Sequence, residues 1–496
     1  MKNKIIHLAK NKALFLLLLP VFFVLHGFVD HYDFVPVTDA LLLCLSYIGS
    51  AFIVAGIAWL FFRDVIKASL LALLIMAYHF FYGSVLDTLK SYFPETTVLR
   101  YSVLLPVSFL FFLVIIIGLK KRRKQLTAFT TYLNILLLFL ILIDTGRLVV
   151  KIPGLKKSTP FNLAAEGFQS CDTCQKPDVY LILLDEYTGS KALKEAFHFD
   201  NSVFENELAN RGFRVMKDSR SNYNYTPFSM ASTLNMDYLA LNMKTKGKGN
   251  LNYCYETIRD SRVVKFFKAQ GYQFYNYSTF YFPGQPSHQS EPFIPNKSKL
   301  ITAQTFLSRL KEDINFNVAR GKIRFPALLK KMAYENLHNN EDILLQTKKT
   351  AAQQTALPKL VYAHLIMPHY PYYFNASGHP LPLEDLVEGR ESDTANYTGY
   401  LEYCNKMILQ LTDDILTTAA NPPVIMLLGD HGFRHFIPKR AHDYYFLNLN
   451  AVYLPRKNYQ LFYDSMTNVN QFRVVLNTLF NQQLPLLKDS TIYLWE

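Results

Sequence analysis

The sequence predicts an α/β domain, a mixed sheet sandwiched by helices, preceded by an all-α five-helix transmembrane domain. Three observations predict it. Five apolar runs crowd into the first 150 residues. Beyond residue 176, apolar runs too short for a helix alternate with helical patterns. Three of those short runs stop at acidic or imidazole side chains.

The apolar runs fall at about 12–28, 38–62, 67–87, 101–119 and 126–143, each close to the ~20 residues that cross a bilayer core. Stretches such as "YSVLLPVSFLFFLVIIIGL" are apolar on every face, which argues against helices of a soluble core. Five runs also exceed what one cleaved signal peptide explains. Lys2, Lys4, Lys10 and Lys12 precede the first run, Arg63 and Lys67 flank the second connection, and "KKRRK" (120–124) follows the fourth. The positive-inside rule puts these ends in the cytoplasm, so a fifth crossing exports the rest. The expectation is a multi-pass protein of the plasma (inner) membrane with an extracytoplasmic catalytic part. Its expected domains are 1–149 in the membrane, a linker at the outer membrane face over 150–176, and a catalytic domain over 177–496.

The net charge is +13, and the exported part keeps a mild positive excess. That suits work beside anionic head groups, or simply a mixed solvated surface. Nucleic acid is not an expected partner outside the cytoplasm. Cys171, Cys174, Cys254 and Cys404 fall in the exported part, an even number compatible with disulfides. No second CxxC completes a zinc knuckle with "CDTC", which leaves a structural bridge or two free thiols.

"PDVYLILLDEYTGS" (177–190) reads as a buried parallel-type strand with carboxylates at its C-terminal end. "KLVYAHLIMPHYPYY" (359–373) and "PPVIMLLGDHGFR" (422–434) repeat the plan. Helical patterns lie between, as at 201–213 and 397–419, so a sheet with ligands beyond the carboxyl ends of its strands is expected. The region 240–350, with "KTKGKGN" and many Tyr and Asn, reads as irregular loops plus a helix that shape the substrate site.

Asp430 and His431 are adjacent and would face opposite sides of a regular strand. Flanked by Gly429 and Gly432, the chain turns easily there, so both can reach one ion. Asp185 and Glu186 end an earlier strand. Oxygen ligands with imidazole nitrogen suit a divalent metal ion, Zn or Mn before softer metals. A hydroxyl becomes a nucleophile beside such an ion, and in "SNYNYTPFSMASTLNM" (221–236) Thr226, Ser229, Ser232 and Thr233 compete for that role. His364 and His369 can bind a phosphoryl or sulfuryl oxygen, protonate a leaving group or hold a second metal.

Taken in order, "PDVYLILLDEYTGS", "TPFSM", "HLIMPHYP" and "GDHG" resemble the sulfatase branch of the alkaline phosphatase superfamily over most of residues 175–496. With five spans before them, they are similar to its membrane-anchored members, the lipoteichoic acid synthases and lipid A phosphoethanolamine transferases. The resemblance implies an alkaline-phosphatase/sulfatase-like fold in which Asp185, Thr226, Asp430 and His431 bind the catalytic ion, with Thr226 as nucleophile. Thr226 is preferred because the family shows nucleophile-x-x-Ser, met by Thr226 and Ser229. His364 and His369 match a His pair of the transferases, and His442 falls near another His that follows their Asp-His. The transferases have one Glu where this chain has "DE", so Asp185, Glu186 or both are expected ligands. "TPFSM" lacks the Arg and the Pro placement of formylglycine sulfatases, which argues against sulfatase activity.

The expected reaction is two-step transfer of a phosphoethanolamine- or phosphoglycerol-type head group, through phospho-Thr226, from a membrane phospholipid donor to an envelope glycan or lipid acceptor. His369 would stabilise phosphoryl charge, and His364 or His442 would serve as base. The alternatives are a membrane-anchored hydrolase of phosphate or phosphonate esters, and a non-catalytic envelope protein.

Overall fold

The computed structural model describes residues 12–32, 35–93, 96–123, 126–156, 163–171, 173–241, 248–289, 298–387, 389–419 and 423–495. Lys2, Lys4, Lys10, Lys124 and most of "KTKGKGN" lie outside them. The chain forms two compact units, Met1–Ser158 with Pro295–Phe316, and Thr159–Ile294 with Asn317–Glu496.

The first unit holds the helices α1 (Phe15–Asp30), α2 (Val37–Phe62), α3 (Val65–Tyr92), α4 (Tyr101–Lys121) and α5 (Thr127–Lys156). Four of them, α2 to α5, are long and apolar enough to cross a membrane. The first run yields only the 16 residues of α1, which at ~1.5 Å per residue falls short of a ~30 Å core. Asp64 starts α3 by accepting the Ile66 and Lys67 amides. Helix α5 continues to Lys156, so the opening residues of the expected linker are helical.

Residues 298–316 also belong to this unit, although the sequence suggests a place beside the substrate. The Gly83 amide donates to the Gln304 carbonyl at 2.7 Å. A Cβ on Gly83 would lie 2.6 Å from that same oxygen, so the approach requires glycine. Arg309 pairs with Asp87, and the Tyr101 hydroxyl donates to Asp313 at 2.6 Å.

The second unit is built on β1 (Val179–Leu184), β2 (Arg214–Val215), β3 (Gln273–Tyr277), β4 (Lys359–Leu365), β5 (Val424–Gly429) and β6 (Asn450–Tyr453). They form one sheet in the order β2-β6-β5-β1-β4-β3. The strands β3, β4, β1 and β5 are parallel, while β6 pairs antiparallel with both β5 and β2 at one end. Each of β1, β4 and β5 is buried along its whole length, as expected of strands covered on both faces. Val179, Leu181 and Leu183 of β1 face a core closed by helices Thr226–Asn235, Arg262–Ala269 and Asn468–Leu479. Tyr180, Ile182 and Leu184 face another, closed by Glu335–Ala352 and Thr394–Thr418 among others.

Register then sets the site. Leu184 pairs with Leu365 on one side and with Gly429 on the other, so β1, β4 and β5 end level. Asp185 and Asp430, each the next residue, therefore emerge side by side. At the opposite, N-terminal ends of these strands the buried Lys359 ammonium sits 3.1 Å from Asp178. The CDTC cysteines, Cys171 and Cys174, form a disulfide, and Cys254 and Cys404 are free.

Candidate functional site

Asp430 and His431 leave β5 into a tight passage. A Cβ on Gly429 would lie 2.6 Å from the Tyr187 carbonyl oxygen, and one on Gly432 would lie 2.5 Å from that of Tyr444. Neither glycine has a positive φ, so it is close backbone approach, not an unusual turn conformation, that requires them. Asp430 Oδ1 accepts the amides of Glu186 and His431 at 2.8 and 2.9 Å. Its other oxygen, Oδ2, is buried without a hydrogen-bond donor.

His431 Nδ1 lies 2.8 Å from the Gly432 carbonyl oxygen. A carbonyl only accepts, so Nδ1 carries the proton and Nε2 presents a lone pair. Burial, and then the nearby Arg434, push the ring's pKa down to about 4, which keeps it neutral. Nε2 nevertheless faces Asp430 Oδ2 at 3.2 Å. This contact satisfies the distance for an ion pair, but a neutral ring cannot form one. The Nε2 lone pair and an ionised Oδ2 repel at this distance unless a proton, which Asp430 takes up below about pH 7, or a metal cation lies between them.

Asp185 completes the group. Burial opposes its charge, but His369 and His364 outweigh burial and hold the carboxyl below the usual carboxylate range. Asp185 Oδ1 is buried and unpaired. Burial, followed by the Asp185 charge, pushes the Asp430 carboxyl up to about 7. Asp185, Asp430 and His431 are all buried and offer ligand atoms within 4.8 Å of one another. The orphaned oxygens and the imidazole lone pair fit a divalent ion such as Zn²⁺ or Mn²⁺.

Thr226 opens the helix Thr226–Asn235, after an extended Tyr225 and with Pro227 in the first turn. Its Oγ1 lies 3.3 Å from His431 Nε2. The competing hydroxyls are committed elsewhere: Ser229 donates to the Asp430 carbonyl at 2.6 Å, Ser232 to Asp237 and Thr233 to Ser229. Of the four, Thr226 is the one whose hydroxyl faces the carboxylates.

Neither a protein-family model nor a curated relative matches the chain. Solved structures do. One is the C-terminal periplasmic domain of EcEptC from Escherichia coli in complex with Zn, 13% identical over 62% of this chain and 84% of that one, with a TM-score of 0.39. Another is the periplasmic domain of the phosphoethanolamine transferase EptC from Campylobacter jejuni, 11% identical over 63% and 92%, TM-score 0.36. A third is a sulfatase-type protein from Bacteroides thetaiotaomicron, 12% identical over 64% and 74%, TM-score 0.38.

The remaining expected residues are placed differently from one another. Glu186 does not join the Asp185 group. Its backbone is left-handed, at φ 59°, and turns the side chain away to His369 and His435, with Oε2 3.9 Å from His369 Nε2 and Oε1 3.7 Å from His435 Nε2. His364, 1% exposed, lies behind Asp185 at 3.3 Å, which suits positioning that carboxylate but not meeting an acceptor. His442 does not reach the site. It is exposed and stacks on Tyr493 with ring centroids 3.8 Å apart.

Two side chains here have no counterpart among the sequence expectations. His435 faces Glu186, with its Nε2 3.7 Å from Oε1. Arg434 gives its backbone amide to Glu186 Oε1 at 2.7 Å and stacks its guanidinium 4.4 Å above the Tyr225 ring. Its Nε and Nη1 are buried and have no hydrogen-bond partner among the described residues. The one available signal was position, since both lie within four residues of His431 on the same loop.

Proposed function

We propose that the chain is a membrane-anchored, metal-dependent phosphotransferase. It moves a phosphoethanolamine- or phosphoglycerol-type head group from a membrane phospholipid to a hydroxyl of an envelope glycan or lipid. The observation that carries this reading is Thr226 Oγ1 beside the His431 lone pair, next to two carboxylates with orphaned oxygens. Asp185, Asp430 and His431 would hold the ion. Once bound, it would act as a Lewis acid toward the adjacent hydroxyl and the phosphoryl oxygens.

The chain's own residues perform the rest. In the first half-reaction, Thr226 Oγ1 loses its proton and forms a bond to phosphorus, while the bond from phosphorus to the diacylglycerol oxygen breaks. The released alcohol takes up a proton. In the second, an acceptor hydroxyl loses its proton and bonds to phosphorus, the bond to Thr226 breaks, and the threonine hydroxyl is restored. The unpaired Arg434 guanidinium offers donors to the oxyanion, and the buried His364 fixes Asp185. The candidate membrane helices suit a lipid donor, because a tethered domain meets it at a high effective concentration.

The test is diacylglycerol release by the full-length protein from fluorescent phosphatidylethanolamine and phosphatidylglycerol, beside Thr226→Ala. Thr226-dependent release from one lipid supports the reading and names the head group. Recovery of that head group as a free phosphomonoester, with none on an acceptor, identifies the hydrolase instead. The absence of release from both lipids overturns the phospholipid donor.

A further inference from the structure

We propose that residues 320–331, a basic segment with exposed apolar side chains, dock on the anionic phospholipid surface at the outer face of the membrane. This rests on the reading of the apolar helices as membrane spans.

Charge selects the segment. "RGKIRFPALLKK" carries Arg320, Lys322, Arg324, Lys330 and Lys331, and no Asp or Glu stands between Asp313 and Glu335. These cations are all exposed. Among the described residues, none of Lys322, Arg324, Lys330 and Lys331 joins an ion pair. A solvated face that mixes both signs has no preferred partner, whereas a cluster of one sign attracts a surface of the other. Ile323 and Phe325 alternate with the cations and are 43% and 54% exposed. A bilayer surface meets both features at once: the anionic head groups hold the cations, and the acyl boundary below them takes the two apolar side chains.

Chain connectivity places the segment near that surface. The positive-inside rule puts the start of α3, beside Lys67, and the end of α4, at Lys120 and Lys121, on the cytoplasmic side. Asp87 and Tyr101 therefore lie toward the outer ends of these helices, where they hold Arg309 and Asp313. The helix Phe306–Ala319 rises ~9 Å from Asp313 to its end, and the chain from there to Lys322 adds at most ~11 Å. The segment is also built rather than loose. Gly321, at φ 68°, ends the helix by donating to the Val318 carbonyl at 3.0 Å, and the Lys322 and Ile323 amides donate to the Asn317 carbonyl at 2.9 and 3.1 Å. At its other end Ala333 is buried, and its carbonyl accepts the Tyr373 hydroxyl at 2.8 Å. Docking would give the exported domain a second tether to the lipid surface.

The test is a polarity-sensitive fluorophore attached to Ala327→Cys in the full-length protein, with Cys44→Ser to remove the other accessible thiol; Cys254 and Cys404 are buried. The protein is reconstituted in vesicles of phosphatidylcholine, alone or mixed equally with phosphatidylserine, an anionic lipid with neither expected donor head group. The spans hold the segment near lipid in both, so a difference between them reports the surface charge. The mixed vesicles should give blue-shifted emission that brominated acyl chains quench, with the quenching roughly five-fold weaker or less in phosphatidylcholine alone. The shift should vanish at 1 M salt, where the screening length is ~3 Å, and in the combined variant K322Q/R324Q/K330Q/K331Q, whose folding circular dichroism checks. Ile323→Ser with Phe325→Ser should lose the quenching. Equal signals in the two vesicles, or a shift that survives the four charge substitutions, overturns the anionic surface as the partner. A shift in detergent that grows with protein concentration overturns it in favour of a second copy of this chain. A protein that alkaline washing strips from the vesicles overturns the membrane reading itself.

Discussion

The hydroxyl of Thr226 lies 3.3 Å from Nε2 of His431, a nitrogen whose ring proton is committed on the far side to the Gly432 carbonyl. Neither partner is free to wander. Thr226 is fixed at the start of a buried helix and His431 in a passage where glycines flank Asp430 and His431. The relationship means that the threonine hydroxyl faces the Nε2 lone pair and can donate to it.

Ser229→Ala should separate support from chemistry. Ser229 is buried and donates to the Asp430 carbonyl at 2.6 Å. Its loss orphans that acceptor at a cost of about 1–3 kcal/mol. Thermal unfolding should shift down by that order, while a phosphoryl adduct still forms on Thr226. Loss of the adduct with unchanged stability would transfer the nucleophilic role to Ser229.

Arg434→Met should keep the stack on Tyr225 and remove the buried charge. A charge-assisted hydrogen bond contributes about 1.5–3 kcal/mol, so kcat/KM for the phospholipid should fall roughly 10- to 100-fold. Arg434→Lys should recover part of it, and phosphate should inhibit the Met variant less. Unchanged kinetics in Arg434→Met would remove Arg434 from the site.

Gly432→Ala places a methyl 2.5 and 2.7 Å from the Tyr444 and Leu447 carbonyl oxygens. Backbone must move to admit it, at a cost of about 1–3 kcal/mol, and His431 moves with it. The expected result is weaker metal retention together with a lower unfolding temperature. Wild-type behaviour in both would mean the passage is looser than it looks.

Metal affinity should depend on pH with a definite sign. In the ion-free protein burial and Asp185 push Asp430 up to about 7, so below about pH 7 it holds a proton that an incoming ion displaces. His431, pushed down to about 4, is already neutral there and releases none. Affinity should therefore fall as pH drops through 7, with protons released at about pH 6 and few at about pH 8.5. Calorimetry in buffers of different ionisation enthalpy measures this. Proton release equal at both values would contradict it.

The parts of this site that were legible in the sequence are those written as interrupted patterns. Asp185, Asp430 and His431 each follow an apolar run that can only be a buried strand, and parallel strands ending level bring them together. The Thr226 and Ser229 pair was visible as a spacing, but only the fold shows which hydroxyl is spent on a carbonyl. His435 was not legible, because it follows the strand end on a loop with no period, and its approach to Glu186 depends on the left-handed turn there. Short strands escaped as well. β3, within a region that reads as loops, is five residues long, and β2 is two; their identity comes from pairing, which local pattern does not encode. The packing of residues 298–316 with the candidate membrane helices depends on a close approach at Gly83, which likewise leaves no local trace.

The most direct test of the central claim is a rapid acid quench of the full-length protein in phospholipid vesicles, followed by peptide mass spectrometry. The account predicts a phosphorylated head group covalently attached to Thr226 in the wild type, and no adduct in Thr226→Ala. An adduct on another residue, or turnover of the phospholipid that persists in Thr226→Ala, would contradict it.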